Sequence, residues 1–180
     1  MVSGPIASGK GEVTNVIRNV YGSSNVSVFV LSDLLRAEAK RRNLDVTREN
    51  LKIIGDEWRK QMGAGVLGKK IIPLVSKLSQ QNRIVVIDSV RLCAEADVMR
   101  NVFTSILFLF VEADEQIRAQ RVLLRARSDD KTIIDIPQVL RQEWRDFELL
   151  GLRQMADVII DGSLPLAKMQ QKIEDALFAK

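Results

Sequence analysis

The octapeptide Gly4-Pro5-Ile6-Ala7-Ser8-Gly9-Lys10-Gly11 constrains this chain more than any other stretch, because it reads as a phosphate-binding loop. In such a loop glycines let the backbone curl until its N–H groups face the phosphates. A lysine reaches the β and γ phosphates, and the next helix offers its positive N-terminal end. Lys10 is the charge, and Gly4, Gly9 and Gly11 are the permissive backbone. Two glycines and a lysine at fixed offsets recur by chance in roughly one chain of this length in twenty, so the flanks must agree. The apolar pair Met1-Val2 precedes the loop, and Val13, Val16, Ile17 and Val20 follow at a spacing that buries one helix face. A merely structural glycine turn stays open as the alternative. Gly11 stands where a Ser or Thr hydroxyl usually binds Mg²⁺. The expected ligand is therefore ATP with Mg²⁺, and how the metal is held is the open part.

At 180 residues and 46% hydrophobic content, the chain suffices for one compact core and is short for two. The net charge of +4 is spread over separate segments rather than gathered in a basic tail, which favours anionic small molecules over bulk nucleic acid. The single cysteine, Cys93, allows no internal disulfide, and with no histidine there is no imidazole chemistry. Catalysis must rest on Lys, Arg and Asp. No apolar run approaches a bilayer span, and the start lacks a signal-peptide layout, so a cytoplasmic monomer or small homo-oligomer is expected.

Short β-rich runs alternate with helical patterns, the signature of a mostly parallel sheet with helices on both faces. The patterns predict strands at Met1-Ser3, Val26-Leu31, Ile84-Asp88, Ser105-Val111 and Asp157-Ile160. They predict helices at Lys10-Val20, Asp33-Arg42, Arg48-Gln61, Val66-Gln80, Cys93-Asn101, Asp114-Arg125, Ile136-Leu150 and Leu166-Ala179, with Thr47 as an N-cap. A buried central strand usually has about five or six residues, so either the first strand or the start of the chain is truncated.

Ligands collect at the carboxyl ends of parallel strands. Ser32, Asp33 and Arg36 follow the second strand, Asp88-Ser89-Val90-Arg91 closes the third, and Asp161-Gly162-Ser163-Leu164-Pro165 follows the last. Helix capping would equally explain Ser32 and Asp33. Asp88, ending the apolar run Ile84-Val85-Val86-Ile87, fits a carboxylate partner for the metal. Arg118, Arg121, Arg125, Arg127, Arg141 and Arg145 form an arginine-rich stretch. Such spacing is usually a solvated face, yet phosphoryl transfer needs guanidiniums converging on the moving phosphate.

Taken together, the phosphate loop with its Gly-Lys-Gly ending, Leu31-Ser32-Asp33-Leu34-Leu35-Arg36, Asp88-Ser89-Val90-Arg91, the arginine helix, Arg127-Ser128-Asp129-Asp130 and Asp161 to Pro165 resemble the adenylate kinase superfamily of P-loop kinases along nearly the whole chain. Within it, Glu38 to Arg42, Thr47 to Asn50 and Arg145-Asp146 are most similar to a branch labelled AAA-type nucleotide kinase or dephospho-CoA kinase-like. The resemblance implies a three-layer α/β domain with a five-stranded parallel sheet. It divides the chain into a core (1–31, 65–125 and 146–180), an acceptor-binding insert (32–64) and a lid (126–145). It implies that Gly4 to Gly11 and Glu12 hold ATP, with Lys10 on its β and γ phosphates and Gly162-Ser163 behind the base. Asp88 would organise Mg²⁺ through water. Ser32, Asp33, Arg36 and Arg91 would hold the acceptor phosphate, Arg121 and Arg125 would flank the transferring group, and Arg127, Arg141 and Arg145 would descend from the lid.

Departures from that pattern matter. Glu12 stands where many of these kinases have Thr, Leu31-Ser32 replaces a Thr-Gly, and no glutamine occupies the adenine-reading position near Glu95-Ala96. An ordinary AMP acceptor is not the expectation. The expected reaction moves the ATP γ-phosphoryl group to a nucleoside monophosphate or nucleotide-like acceptor. The alternatives are a regulatory or scaffold module with weak ATPase, a dephospho-CoA kinase, or a nucleic-acid kinase.

Overall fold

The computed structural model describes residues 1–81, 83–125 and 135–179. Five parallel strands form: β1 (Val2–Ser3), β2 (Val26–Val30), β3 (Ile84–Asp88), β4 (Leu109–Glu112) and β5 (Val158–Asp161). Between and after them run α1 (Lys10–Tyr21), α2 (Leu31–Arg41), α3 (Arg48–Met62), α4 (Val66–Ser79), α5 (Cys93–Arg100), α6 (Glu115–Arg125), α7 (Ile136–Asp146), α8 (Leu149–Met155) and α9 (Leu166–Phe178).

The strand residues alternate between two cores because successive side chains point to opposite faces. Leu109 and Val111 of β4 and Val86 of β3 join Val13, Val16 and Ile17 of α1 and Met169 and Ile173 of α9. Phe110 and Ile87, one residue out of step, join Leu35, Ile54, Leu67, Met99 and Leu152 from α2, α3, α4, α5 and α8. Helices thus cover both faces, as the sequence pattern requires.

The sheet departs from expectation. The strands pair as β1-β4-β5 and, separately, β2-β3, rather than as one five-stranded ladder. Two local causes are visible. β1 has only two residues before Gly4 turns the chain with φ 136°, and Ser89 ends β3 by taking φ 65°. Among the described residues the backbones of the halves are joined by one bridge, Ser3 to Val90, in which Val90 N donates to Val2 O at 3.3 Å and the Ser3 hydroxyl donates to Val90 O at 2.6 Å.

Other boundaries shift for legible reasons. Residues 105–108 precede β4 irregularly, and Phe108 N donates to the Asp157 carboxylate at 2.7 Å instead of entering a ladder. The helix expected over Ile136–Leu150 breaks into α7 and α8 at Phe147, whose backbone is extended. Glu148 just beyond donates its N–H to Arg91 O at 3.1 Å. Thr47 caps α3 as expected, accepting from Asn50 N at 3.2 Å.

Candidate functional site

The phosphate loop sits between β1 and α1 with its glycines under steric compulsion. A Cβ on Gly4 would lie 2.0 Å from Val111 O, and Ala7 and Gly9 also take positive φ. Behind the loop, a Cβ on Gly162 would lie 1.9 Å from Ser8 O. Ser163 accepts from Asp114 N at 2.9 Å and so fixes the loop after β5. The Lys10 ammonium folds back on the loop, donating to Gly4 O at 2.8 Å and Pro5 O at 2.6 Å. The Ser8 hydroxyl is buried and has no hydrogen-bond partner. Around Gly11 there is open space, so the missing hydroxyl there is not a steric necessity. Glu12, on the first turn of α1, accepts from Asn15 at 3.3 Å.

Opposite the loop, β2 runs straight into α2 with Val30 at the cap position. Ser32 and Asp33 are therefore not caps; instead they receive Arg36 Nη1 at 2.7 and 2.8 Å. A cleft of about 900 Å³ is lined by the loop from Ile6 to Glu12 together with Ser32, Asp33, Arg36, Arg48, Asp88, Ser89, Arg91, Arg121 and Gly162. A second cavity, about 300 Å³, lies between α3 and α7. Its far end holds Asp56, Arg59 and Leu67, and its outer side is crossed by a Lys52–Asp146 ion pair at 3.5 Å. Ser32, Arg36, Arg48, Ser89 and Arg91 belong to both linings. The two volumes therefore meet at a wall of three guanidiniums.

Arg91 stacks 4.2 Å over the Phe147 ring and faces Glu143 at 3.7 Å. Burial pulls the Arg91 and Arg118 pKa values below the ordinary guanidinium range, and Glu143 opposes that shift at both. Arg121 donates to Ala7 O at 3.3 Å and Gly162 O at 2.8 Å, which ties the loop to the β5 end. The backbone of Arg125 closes α6, and Arg127 lies outside the described residues. Arg141 instead pairs with Glu115 at 3.7 Å on the surface, and Arg145 donates to Gln142 at 3.1 Å. Among the described residues, neither lines either volume, because α7 turns Leu140 and Glu143 inward and these two arginines outward.

Four participants were given no role in the sequence reading. Arg48 and Arg59 lie with Leu51, Lys52 and Asp56 on one face of α3, a spacing legible as a helix stripe but not as a cavity wall. Glu143 follows the buried Leu140 by three positions, a signal for an inward-facing carboxylate. Glu95, near the absent glutamine, is fully buried and accepts from Arg91 N at 2.9 Å and Leu92 N at 3.3 Å.

The cleft of about 900 Å³ over the loop residues Ile6 to Glu12 is roomy enough for a nucleoside triphosphate. Among the described residues no cluster of three acidic, Cys or His side chains could hold a metal alone. A magnesium ion carried on the nucleotide would suit the cleft better, with Glu12, Asp33 and Asp88 as the carboxylates on its wall. No described helix is long and apolar enough to cross a membrane.

Fold and cleft together define a P-loop kinase-like α/β domain. Residues 3–137 match the model of the AAA domain family. A UPF0200 protein of Pyrococcus horikoshii is 30% identical over 97% of this chain and 92% of its own. A UPF0200/UPF0201 protein of Archaeoglobus fulgidus is likewise 30% identical over 94% of this chain, which spans only about half (52%) of that relative. The chain belongs to the UPF0200 family of AAA-domain proteins. Among solved structures it resembles TT1252 from Thermus thermophilus, with TM-score 0.65 and 18% identity over 99% of this chain and 94% of the other. It also resembles shikimate kinase from Acinetobacter baumannii, with TM-score 0.58 and 14% identity over 99% and 91% of the respective chains. At those identities the likeness is one of fold.

Proposed function

We propose that this chain is a Mg²⁺-dependent phosphotransferase that moves the γ-phosphoryl group of ATP to a phosphorylated acceptor the size of a nucleoside monophosphate. One observation carries the reading: the loop cleft and the smaller cavity share Ser32, Arg36, Arg48, Ser89 and Arg91. A donor in one and an acceptor in the other would bring their phosphates together at those guanidiniums. Size favours the smaller acceptor, since 300 Å³ is at the lower limit of the roughly 300–1,000 Å³ typical of small-molecule pockets.

In this reading an acceptor phosphate oxygen attacks the γ-phosphorus in line as the bond to the ADP oxygen breaks. Lys10 and the shared arginines neutralise the oxygens of a loose transition state, and no protein group forms a covalent bond. Mg²⁺, when bound, would withdraw charge from the phosphates, with Asp88 holding its water shell. Residues 32–64 would form the acceptor insert and 126–145 the lid, with 1–31, 65–125 and 146–180 as the core. Of the lid, 126–134 lie outside the described residues. At the far end of the acceptor cavity Arg59 presents donors and Asp56 acceptors, so a base edge carrying both a carbonyl and an N–H group suits it.

The decisive experiment measures ATP consumption with and without a panel of nucleoside monophosphates and dephospho-CoA. We expect acceptor-dependent turnover, reduced at least a hundredfold by Lys10→Ala and strongly by Asp88→Asn. Slow ATP hydrolysis indifferent to every acceptor would favour a regulatory module instead.

A further inference from the structure

The phosphate loop already holds an anion of the protein's own. Ile6, inside the loop, gives its backbone N–H to both carboxylate oxygens of Glu143, at 2.9 Å to Oε1 and 2.7 Å to Oε2. The same carboxylate lies 3.6 Å from Nη1 of Arg118 and 3.7 Å from Nη1 of Arg91. Glu143 is only 7% exposed and Arg118 3%, so bulk water cannot take over these partners. Leu140, one turn earlier on α7, packs with Ile6 and Val122 in a small apolar cluster and seats the carboxylate on the loop.

We propose that Glu143 is the resident counter-anion of the phosphate site: it holds Ile6 N–H and Arg91 and yields them when a triphosphate binds. The inference rests on reading the loop as the donor site. Its physical basis is that loop N–H groups and guanidiniums recognise any oxyanion. A carboxylate and a polyphosphate drawn to one partly buried set of donors repel each other. Binding of triphosphate and docking of Glu143 are then linked negatively, each weakening the other by the same factor. Freed by this exchange, Arg91 would turn to the acceptor cavity, whose wall it already forms, only after ATP is in place.

A carboxylate that merely glues α7 to the loop predicts the opposite sign. Removing glue loosens the loop and weakens ATP binding. Removing a competing anion leaves Arg91 and Arg118 without a counter-charge and strengthens it.

Calorimetric titration of the wild type and Glu143→Gln with ATP and Mg²⁺ separates the two. We expect the glutamine variant to bind ATP about tenfold more tightly and to melt at a lower temperature without nucleotide. Unchanged or weaker ATP binding in Glu143→Gln overturns the assignment. Should that variant fail to fold, Trp144 gives a second measurement. It neighbours Glu143, is 37% exposed, and has its ring 6.4 Å from that of Phe110. The other of the two tryptophans, Trp58, lies under Lys70 at 4.3 Å and lines neither volume, so Trp58→Phe leaves Trp144 as sole reporter. Its emission should change with the same saturation curve as ATP binding, and a spectrum unmoved at saturating ATP overturns the proposal. A wild type that binds no ATP removes the donor-site reading itself, whereas binding with the wrong sign removes only Glu143.

Discussion

At the scale of single residues, Gly11 and Glu95 make contrasting demands. A side chain at Gly11 meets open space, whereas one at Gly4 would strike a backbone carbonyl at 2.0 Å. Gly11→Ser should therefore fold with an unchanged melting temperature. Its new hydroxyl should lower the Mg²⁺ concentration for half-maximal turnover severalfold, and an identical Mg²⁺ titration in both proteins would count against a nucleotide-borne ion at this wall. Glu95 is buried, and burial raises its pKa, while the N–H groups of Arg91 and Leu92 and the Arg59 charge pull the other way. Below the unfolded carboxyl pKa the group is neutral in both states. As pH rises past that value the unfolded chain releases the proton first, so the folding stability tied to Glu95 is lost as pH climbs through its folded pKa. Glu95→Gln, which cannot ionise, should gain on the wild type in thermal melts as pH rises above the ordinary carboxyl range. A melting difference independent of pH rules this out.

At the scale of elements, α2, the loop after β3 and α7 carry arginines with different prospects. Arg36 and Arg91 line the shared wall, so their replacement by Ala should chiefly raise the acceptor KM, about ten- to a hundredfold, as loss of binding shared by ground and transition states does. Arg141 and Arg145 lie outward on α7 in exposed contacts, of a kind worth about 0–1 kcal/mol. Alanine there should leave kcat within about threefold. A hundredfold loss would mean that α7 turns its other face inward during turnover. These elements also mark what the sequence could and could not tell. The loop, the helix pattern of α1 and the Asp88 strand end were legible because each is a local rule of spacing or turn chemistry. The inward face of α7 was not, since its break at Phe147 depends on Glu148 reaching Arg91 O, a partner 57 positions away in sequence. The α3 stripe from Arg48 to Arg59 has helical spacing in the sequence, but only the approach of α7 makes it a cavity wall.

At the scale of the whole molecule, the two sheet halves carry the two sides of the site. β1 and β5 bear the phosphate loop and its Gly162 brace, while β2 and β3 bear Ser32, Arg36, Asp88 and Arg91. Ser3→Ala would remove the buried hydroxyl that holds Val90 O at 2.6 Å. Losing that buried hydrogen bond should cost about 1 kcal/mol and lower the melting point by roughly 2–4 °C per kcal/mol. Turnover measured well below the melting point should also fall, and full activity there would indicate that the halves are aligned by their helices alone. The full set of strands was foreseeable from β-rich runs, but not the thinness of the join, which depends on the positive φ of Ser89. That join has a mechanical meaning. In a continuous ladder, many rungs average out thermal jostling, but here, among the described residues, a single rung ties the backbone that bears the phosphate loop to the backbone that bears Asp88 and Arg91. Misplacement by about 1 Å can cost a hundredfold in rate, so Ser3 and Val90 work as the alignment pin of a two-part tool whose working edges lie elsewhere.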